Sequence, residues 1–322
     1  MIDNGVNETQ MSFFKRFSEK IIPFTGLLII CIILSIASPY FLTLTNIMAI
    51  GIQTTVIAIL GIGVTFVIIT AGIDLSVGSV LGLAGVITTI SMANGINMYL
   101  SIIFGLLVGA AIGFVNGLVT TKGKIHSFIA TLGMMGIARG LALIITGGIP
   151  VSGLPSEFDF MGAGKIFGFF PVPVFILIIV AIIAHLILSK TRIGRYTYAI
   201  GSNAEATRLS GVKVDKYLII VFTISGLMAS LGGIVQASRL VTGQPTAGTG
   251  YELDAIAAAV IGGTSLLGGE GSILGTIIGA LIMGVLRNGA NLLNISEFIQ
   301  QVLIGIIIIS AVIYDRHRRS KN

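Results

Sequence analysis

Apolar residues are distributed along the chain in about ten hydrophobic stretches, separated by short polar or glycine-rich joins. A helix needs about 20 mostly apolar residues to cross a bilayer, and most of the stretches approach that length. Each stretch is therefore predicted to be a membrane-spanning helix. The predicted spans cover residues 21–38, 46–70, 77–93, 99–120, 127–146, 173–189, 217–238, 252–267, 272–290 and 297–314.

Glycine-rich joins obscure the limits of four of these spans: the second, third, eighth and ninth. The runs Ala71-Gly72-Ile73-Asp74 and Gly268-Gly269-Glu270-Gly271 are typical of tight turns or unwound segments. Non-helical backbone at membrane depth is tolerated only inside the protein or beside water. Both places are therefore expected to be breaks that lie inside the protein or beside water.

Composition agrees with a membrane location. Hydrophobic residues make up 54% of the chain and charged residues only 10%, against roughly 25% charged residues in soluble proteins. Glycine is abundant, which favours close packing of helices in lipid. The single cysteine, Cys31, excludes a disulfide within the chain and a metal site built from cysteines.

Basic residues predict the orientation in the membrane, because loops on the cytoplasmic side carry an excess of Lys and Arg. With ten spans, four basic segments fall on one side, and only Lys165 and Arg239 on the other. Both termini are thus expected on the cytoplasmic side of the membrane, and the net charge of +6 does not indicate nucleic-acid binding. The predicted organisation is a cytoplasmic segment 1–20, one transmembrane domain 21–314 with a cytoplasmic loop at about 190–216, and a basic tail 315–322.

The two halves of the chain share short motifs. Gly109-Ala110-Ala111-Ile112, Asn116-Gly117 and Phe128-Ile129 reappear about 170 residues later as Gly279-Ala280-Leu281-Ile282, Asn288-Gly289 and Phe298-Ile299. The offset equals five spans, and an odd number would place the halves in opposite orientations. An inverted repeat of two five-helix halves and a chance match are the two interpretations.

A short cytoplasmic helix is predicted within residues 202–211. Ser202 and Glu205 have the spacing of a capping box, and Gly211 can end the helix in a left-handed conformation. Ala206 and Leu209 form a small apolar face. The helix is expected either to insert into a groove on a partner or to lie as an ordinary loop helix on the membrane surface.

At this segment the sequence resembles a known family. Glu205-Ala206 followed by Gly211, with Thr207 after the alanine, is similar to the cytoplasmic-loop signature of the permeases of ATP-binding-cassette importers. Three further motifs resemble the monosaccharide permeases among them, from about residue 20 to the C-terminus. They are AGIDLSVGS at 71–79, QPTAGTGYELDAIA at 244–257 and GGTS at 262–265.

The resemblance implies a pore-forming subunit of a bacterial inner membrane that pairs with a second copy of itself. Two ATP-binding subunits would drive it through the 202–211 helix, and a soluble sugar-binding protein would deliver a pentose or hexose, ribose first among them. The chain lacks a phosphate-binding loop of its own. ATP and Mg are therefore expected on the partner subunit, with no cofactor on this chain. The binding protein is expected to dock on residues 147–172 and 239–251.

Polar residues within the predicted spans are candidates for the pathway. Charges near the bilayer centre cost about 2.5–3.5 kcal/mol on insertion scales and so face protein or water. Asp74 and Asp254 are expected to have a structural role rather than to bind sugar, since a carboxylate can cap the amides of a broken helix. Neutral polar side chains suit a sugar pathway; the candidates are Thr54, Thr55, Ser79, Thr264 and Ser265.

Two other functions have specific sequence requirements. An intramembrane hydrolase would need a metal or nucleophile motif, and neither H-E-x-x-H nor G-x-S-x-G occurs in the chain. An ion-coupled secondary transporter would use buried acidic relays, and Asp74 and Asp254 keep that alternative open. The leading prediction is a transport subunit without enzymatic activity.

Overall fold

The structure, a computed structural model, describes residues 24–320, without the side chains of residues 311 and 314–320. The predicted cytoplasmic segment 1–20 lies outside the described residues, and so do the side chains of the predicted basic tail.

The described chain is mainly helical, with one short β-hairpin at 165–171. A 3-10 turn, Ser156–Asp159, precedes the hairpin, whose strands β1 (Lys165–Ile166) and β2 (Phe170–Pro171) are antiparallel. The helices are α1 Phe24–Ala37, α2 Leu44–Ile69, α3 Val77–Ala93, α4 Met98–Thr121, α5 Ser127–Thr146, α6 Phe160–Ala163, α7 Val172–Lys190, α8 Arg192–Ser202, α9 Ala204–Leu209, α10 Val214–Leu240, α11 Tyr251–Ile261, α12 Ile273–Leu292 and α13 Glu297–Ser320.

Six helices are long and apolar enough to cross a membrane: α2, α4, α5, α7, α10 and α12. Helices α1 and α3, and the first part of α13, are shorter apolar helices. The chain is therefore an all-α polytopic membrane protein, as predicted. The predicted third and fifth spans coincide with α3 and α5 to the residue.

The helices divide into an inner and an outer set. In α2, 89% of the most apolar window is buried, and every residue from Thr54 to Ile69 is buried, whereas in α5 only 17% of that window is buried. Helix α2 packs against α10, α11 and α12. The outer helices expose large apolar side chains such as Ile32, Leu107 and Ile182. So much exposed apolar surface requires lipid around it.

Glycine residues set the spacing of the most extensive helix contact, between α4 and α10. Gly109, Gly113 and Gly117 of α4 lie against α10, and a Cβ at any of them would overlap atoms near Gly226, Phe222 or Ile219. Backbones can approach this closely in lipid only where side chains are absent.

The predicted eighth span, 252–267, is wrong in its limits. Helix α11 has only 11 residues, about 16 Å of length. It is preceded by a non-helical stretch, 241–250, which we call the extended segment. Gly243 lies against Thr89 of α3, and the carbonyl of Gly248 lies against Gly78 near the start of that helix. The extended segment therefore runs back along α3 into the bundle.

The expected docking surface at 239–251 is wrong for part of its length, because Gly243, Pro245 and Gly248 are buried. Its glycine and proline content is typical of a loop, but it also permits an extended backbone packed against a helix. Thr246 and Thr249 remain exposed.

Basic loops gather at one end of the bundle. Asp215, in the first turn of α10, pairs with Lys122 at 3.3 Å and with Arg208 at 3.4 Å. At the opposite end, Val151 forms a β-bridge with Gly243, and Ser238 donates to the carbonyl of Phe158. The predicted grouping of 122–124 with 190–216 is thus present in the fold.

Candidate functional site

The predicted cytoplasmic helix exists as α9, but its predicted cap is wrong. Ser202 is the last residue of α8, and Asn203 caps α9 by accepting a 2.9 Å hydrogen bond from the amide of Ala206. Glu205 instead lies 3.8 Å from Arg208. An Asn at the cap position serves the same purpose as a Ser, so the pattern located the helix one residue early.

The end of α9 is as predicted. Gly211 has φ +84°, which is the left-handed region, and its amide bonds the carbonyl of Arg208. The amide of Val212 reaches back to Thr207, and the last carbonyls of the helix are thereby satisfied.

Helix α9 projects from the body of the protein. Among its six residues only Thr207 is buried; Ala206 is exposed and Leu209 is 81% exposed. This apolar side chain lies at the basic end of the molecule, beside charged loops. A partner with an apolar groove would remove it from water.

Helix α8 connects α9 to the membrane helices. The Tyr198 hydroxyl donates a 2.7 Å hydrogen bond to the carbonyl of Gly271, in the α11–α12 loop, and burial raises the pKa of Tyr198. Gly201 lies against the carbonyl of Ile69, the last residue of α2. That carbonyl also accepts a 2.8 Å bond from the amide of Gly269. A displacement of α9 would therefore reach α2 and the α11–α12 loop directly.

Asp74 lies in the break between α2 and α3 and is fully buried. Its Oδ1 accepts from the amide and the hydroxyl of Ser76, at 3.0 and 2.6 Å, and its Oδ2 accepts from Ser225 at 2.8 Å. Asn116 donates to Ser76 at 2.9 Å. Asp74 therefore binds the backbone of this break through the amide of Ser76, the residue before α3, and four helices or their ends converge on it.

Side chains of helix α5 form further hydrogen bonds with the backbone of this break. Ser127 and Thr131 accept 3.1 Å bonds from the amides of Ile73 and Leu75. Thr131 also donates to the carbonyl of Ile73 at 3.2 Å. Side chains of a neighbouring helix thus replace the missing helical hydrogen bonds, which makes this backbone tolerable at membrane depth.

Asp254 does not cap a helix; its structural contact is an ion pair with another helix. Its Oδ2 forms a 2.6 Å ion pair with Arg287 of α12, and its side chain is 1% exposed. The other oxygen finds no hydrogen-bond partner among the described residues. Asp254 and Arg287 therefore join α11 to α12 as a buried ion pair.

The other candidate pathway residues are all buried. Thr264 and Ser265 are buried in the loop between α11 and α12, and the Ser265 hydroxyl accepts from the amide of Leu267 at 3.3 Å. Thr54, Thr55 and Ser79 are buried among the inner helices. The sequence candidates are therefore dispersed: Asp74 lies at the start of α3, Asp254 at the start of α11, and Thr264 beyond its end.

Arg139 of α5 holds the extended segment. Its guanidinium donates to the carbonyls of Pro245 and Ala247, the latter at 2.8 Å. The segment has some hydrogen bonds of its own, such as that from the amide of Ala247 to the carbonyl of Gln244, but buried carbonyls that no local amide reaches need donors from elsewhere. Arg139 supplies them.

A cavity of about 510 Å³, which we call the polar cavity, lies between α2, α11, α12 and α13. Gln53 is exposed in α2, although the sixteen residues that follow it are buried. Gln300 donates to Asn291 at 2.9 Å. Neither amide was predicted from the sequence as part of a site, although a lone Gln in an apolar span signals a watery surface. The lining residues are Ala49, Ile52, Gln53, Ile57, Arg239, Tyr251, Gly284, Arg287, Asn291, Glu297 and Gln300.

Within the described part of the chain, no group of three His, Cys, Asp or Glu side chains is arranged to hold a metal ion.

Comparison with known proteins gives near full-length matches. Residues 46–312 match the family described as the permease component of branched-chain amino acid transport systems. The chain is 48% identical over 298 residues to the ribose import permease protein RbsC of Escherichia coli K12, covering 91% of this chain and 92% of that protein. It is 45% identical to RbsC of Bacillus subtilis, covering 97% of each.

The chain is also 42% identical to the D-allose transport system permease protein AlsC of Escherichia coli K12, covering 98% of this chain and 97% of that protein. No solved structure matches the chain.

Proposed function

We propose that this chain, which belongs to the family of permease components of branched-chain amino acid transport systems, forms the membrane pathway of an ATP-driven sugar importer with ribose as its cargo. The observation that carries the proposal is the identity of 44 to 48% over nearly the whole chain to permeases named for ribose import. Its role is transport, and ATP hydrolysis belongs to partner subunits.

The geometry of α8 and α9 supports the coupling role. Leu209 is exposed for a partner, and Tyr198 and Gly201 connect α8 to the end of α2 and the α11–α12 loop. Those elements continue into α2, α11 and α12, which line the polar cavity. Docking of an ATP-binding subunit on α9 would thus move the walls of the pathway.

The test is uptake of radiolabelled ribose by proteoliposomes that contain this chain and its ATP-binding subunit. Uptake is expected to require ATP and the sugar-loaded binding protein, and no proton or sodium gradient. Leu209→Ser is expected to abolish ATP-dependent uptake and co-purification of the ATP-binding subunit. Leu253→Ser, at a half-exposed leucine away from α9, is the control. Uptake by the chain alone, driven by an ion gradient, would refute the importer assignment.

The polar cavity is part of the proposed sugar route. Amides and a tyrosine suit sugar hydroxyls, and a volume of about 510 Å³ lies within the roughly 300–1,000 Å³ of small-molecule sites. Gln53→Leu is expected to lower the uptake rate about tenfold with unchanged assembly. Its neighbour Thr54→Val is the control, since the Thr54 hydroxyl is buried without a partner among the described residues. Equal uptake by both variants would exclude the cavity from the route.

A second copy of the chain, two ATP-binding subunits and a soluble sugar-binding protein complete the proposed assembly. One face of α5 supports the second copy, because Gly133, Gly136 and Gly140 meet open space there. In a Cys31→Ala background, Gly136→Cys is expected to cross-link two copies, and Ile178→Cys on α7 is not. The opposite pattern would place the partner elsewhere.

Ten crossings arranged as an inverted repeat are also part of the proposal, with the extended segment and α11 together making the eighth. Helices α2 and α10 begin 170 residues apart, and so do α5 and α13. In this repeat α2, α3, α4 and α5 correspond to α10, α11, α12 and α13. The contacts between corresponding helices repeat: the α4–α10 contact corresponds to the α12–α2 contact, and the α3–α4 contact to the α11–α12 contact. Such correspondence supports duplication over chance.

The orientation is proposed from the 15 basic residues on one side. In a Cys31→Ala background, an impermeant thiol reagent added to intact cells is expected to label Phe160→Cys and spare Ala204→Cys. Both positions are exposed. Labelling of position 204 alone would mean that the protein has the opposite orientation in the membrane.

A further inference from the structure

A second cavity, of about 1030 Å³, lies at the basic end of the bundle and is called here the basic cavity. It is formed by the end of α4, the α4–α5 connection, Arg208 of α9 and the first turns of α10. Five Lys or Arg side chains and one carboxylate line it, together with His126. The charged residues are Lys122, Lys124, Arg208, Lys213, Lys216 and Asp215.

Most of this positive charge is uncompensated. Asp215 is shared between Lys122 and Arg208, and Arg208 also meets Glu205. Lys124, Lys213 and Lys216 are exposed and form no ion pair with the described residues. The cavity therefore has the electrostatics of an anion site.

An apolar groove of about 430 Å³ adjoins the basic cavity. Phe114, Ile220, Thr223 and Ile224 line it, and Lys216 and Ile219 belong to both spaces. The groove follows α4 and α10 away from the basic loops, along the surface that the bilayer covers. Charged lining thus gives way to apolar lining in the direction from water into the membrane.

We propose that this composite site binds an anionic phospholipid, with its phosphate and headgroup in the basic cavity and one acyl chain in the groove. Basic pockets between membrane helices are suited to anionic headgroups, and Lys side chains attract phosphate as point charges. A free phosphate would use the cavity but gain nothing from the groove. A protein partner docking on exposed lysines would not need the groove either.

The test is native mass spectrometry of the full chain, purified in detergent and titrated with dioleoylphosphatidylglycerol, dioleoylphosphatidylcholine or inorganic phosphate. Phosphatidylglycerol is expected to bind most tightly. The triple variant Lys124→Gln/Lys213→Gln/Lys216→Gln is expected to weaken its binding roughly a hundredfold, since each basic residue contributes roughly fivefold. The control Lys190→Gln/Arg192→Gln/Arg195→Gln removes the same charge from exposed positions outside the cavity and is expected to change binding less than twofold.

Two further variants separate the parts of the site. Asp215→Asn removes the carboxylate of the lining and is expected to tighten phosphatidylglycerol binding. Thr223→Trp fills the groove and is expected to weaken binding of the lipid and not of phosphate.

Three results would overturn the proposal. Equal losses in the two triple variants would mean diffuse attraction to a basic surface. Phosphate that binds as tightly as the lipid, with no effect of Thr223→Trp on either, would make the site a free-anion site. Loss of ATP-binding-subunit assembly in the cavity triple variant, with phosphatidylglycerol binding intact, would make it a protein-docking surface.

Discussion

Two interruptions of the membrane helices satisfy their backbone in different ways. The break at 70–76 is enclosed except at Ala71: Asp74 binds Ser76 and Ser225, and α5 supplies Ser127 and Thr131 to its amides. The extended segment 241–250 relies on Arg139 for two carbonyls and leaves Thr246 and Thr249 exposed.

This difference indicates that the break at 70–76 is rigid, whereas the extended segment is able to move. A buried break with side chains from several helices can change only if all of them change together. The extended segment is held at Gly243 by the β-bridge to Val151, but its part around Pro245 and Ala247 is held by the Arg139 guanidinium, so the loss of that one side chain can release this part. We therefore expect motion during transport in the extended segment and α11, around a rigid break at 70–76.

Substitution at Asp74 is expected to have the largest effect. Asp74→Leu would leave the Ser76 amide and two hydroxyls buried without an acceptor, at a cost of about 4 kcal/mol. The thermal midpoint in detergent measures this cost. Asp74→Asn keeps an acceptor and is the matched control, with folding and uptake near those of the parent chain. An Asn variant that folds but does not transport would assign the Asp74 charge to ion coupling instead.

The second-largest effect is expected from a substitution that releases the extended segment. Arg139→Met removes both donors to the Pro245 and Ala247 carbonyls, at about 3 kcal/mol. ATP-dependent uptake is expected to fall at least about tenfold, and a thiol at Thr249→Cys should become more reactive. Arg195→Met, at an exposed position of α8, should change neither. An unchanged thiol reactivity in Arg139→Met would contradict a segment held by this residue.

The next effect in size is expected at the ion pair between Asp254 and Arg287, where a second substitution should restore the stability that the first one loses. Asp254→Asn or Arg287→Gln alone is expected to destabilise the protein by about 2 kcal/mol, moderated because the Arg287 side chain is 35% exposed. The double variant Asp254→Asn/Arg287→Gln should recover most of the loss. A double-mutant cycle from thermal unfolding measures the coupling. Additive losses would mean that the two residues act separately.

The smallest effect on stability is expected at the exposed turn after α9, where water can satisfy the backbone. Gly211 has φ +84°, and Gly211→Val should cost about 1 kcal/mol and lower uptake while membrane insertion persists. Gly211→Asn is the milder control, since Asn tolerates this conformation. If Gly211→Val destabilised the protein as much as Asp74→Leu, access of water to the backbone would not explain why substitutions at the buried break 70–76 cost more than substitutions at the turn after α9.

The sequence by itself determined the membrane location, most of the helix limits and the grouping of the basic loops. These follow from local properties: an apolar run of fixed length must cross lipid, and Gly211 ends a helix whatever surrounds it. The position of α9 was also predictable, although its cap proved to be Asn203, because Ser and Asn are nearly equivalent at that position.

Only the tertiary structure decided which polar residue meets which. Asp74 and Asp254 both lie among small or apolar residues in the sequence, yet one is held by serines and the other by Arg287, 33 residues away. The extended segment has the composition of a surface loop but lies along α3, because Gly78 leaves room for its carbonyls and Arg139 supplies donors. Such pairings join helices far apart in the chain, and no local pattern of residues encodes the distance between them.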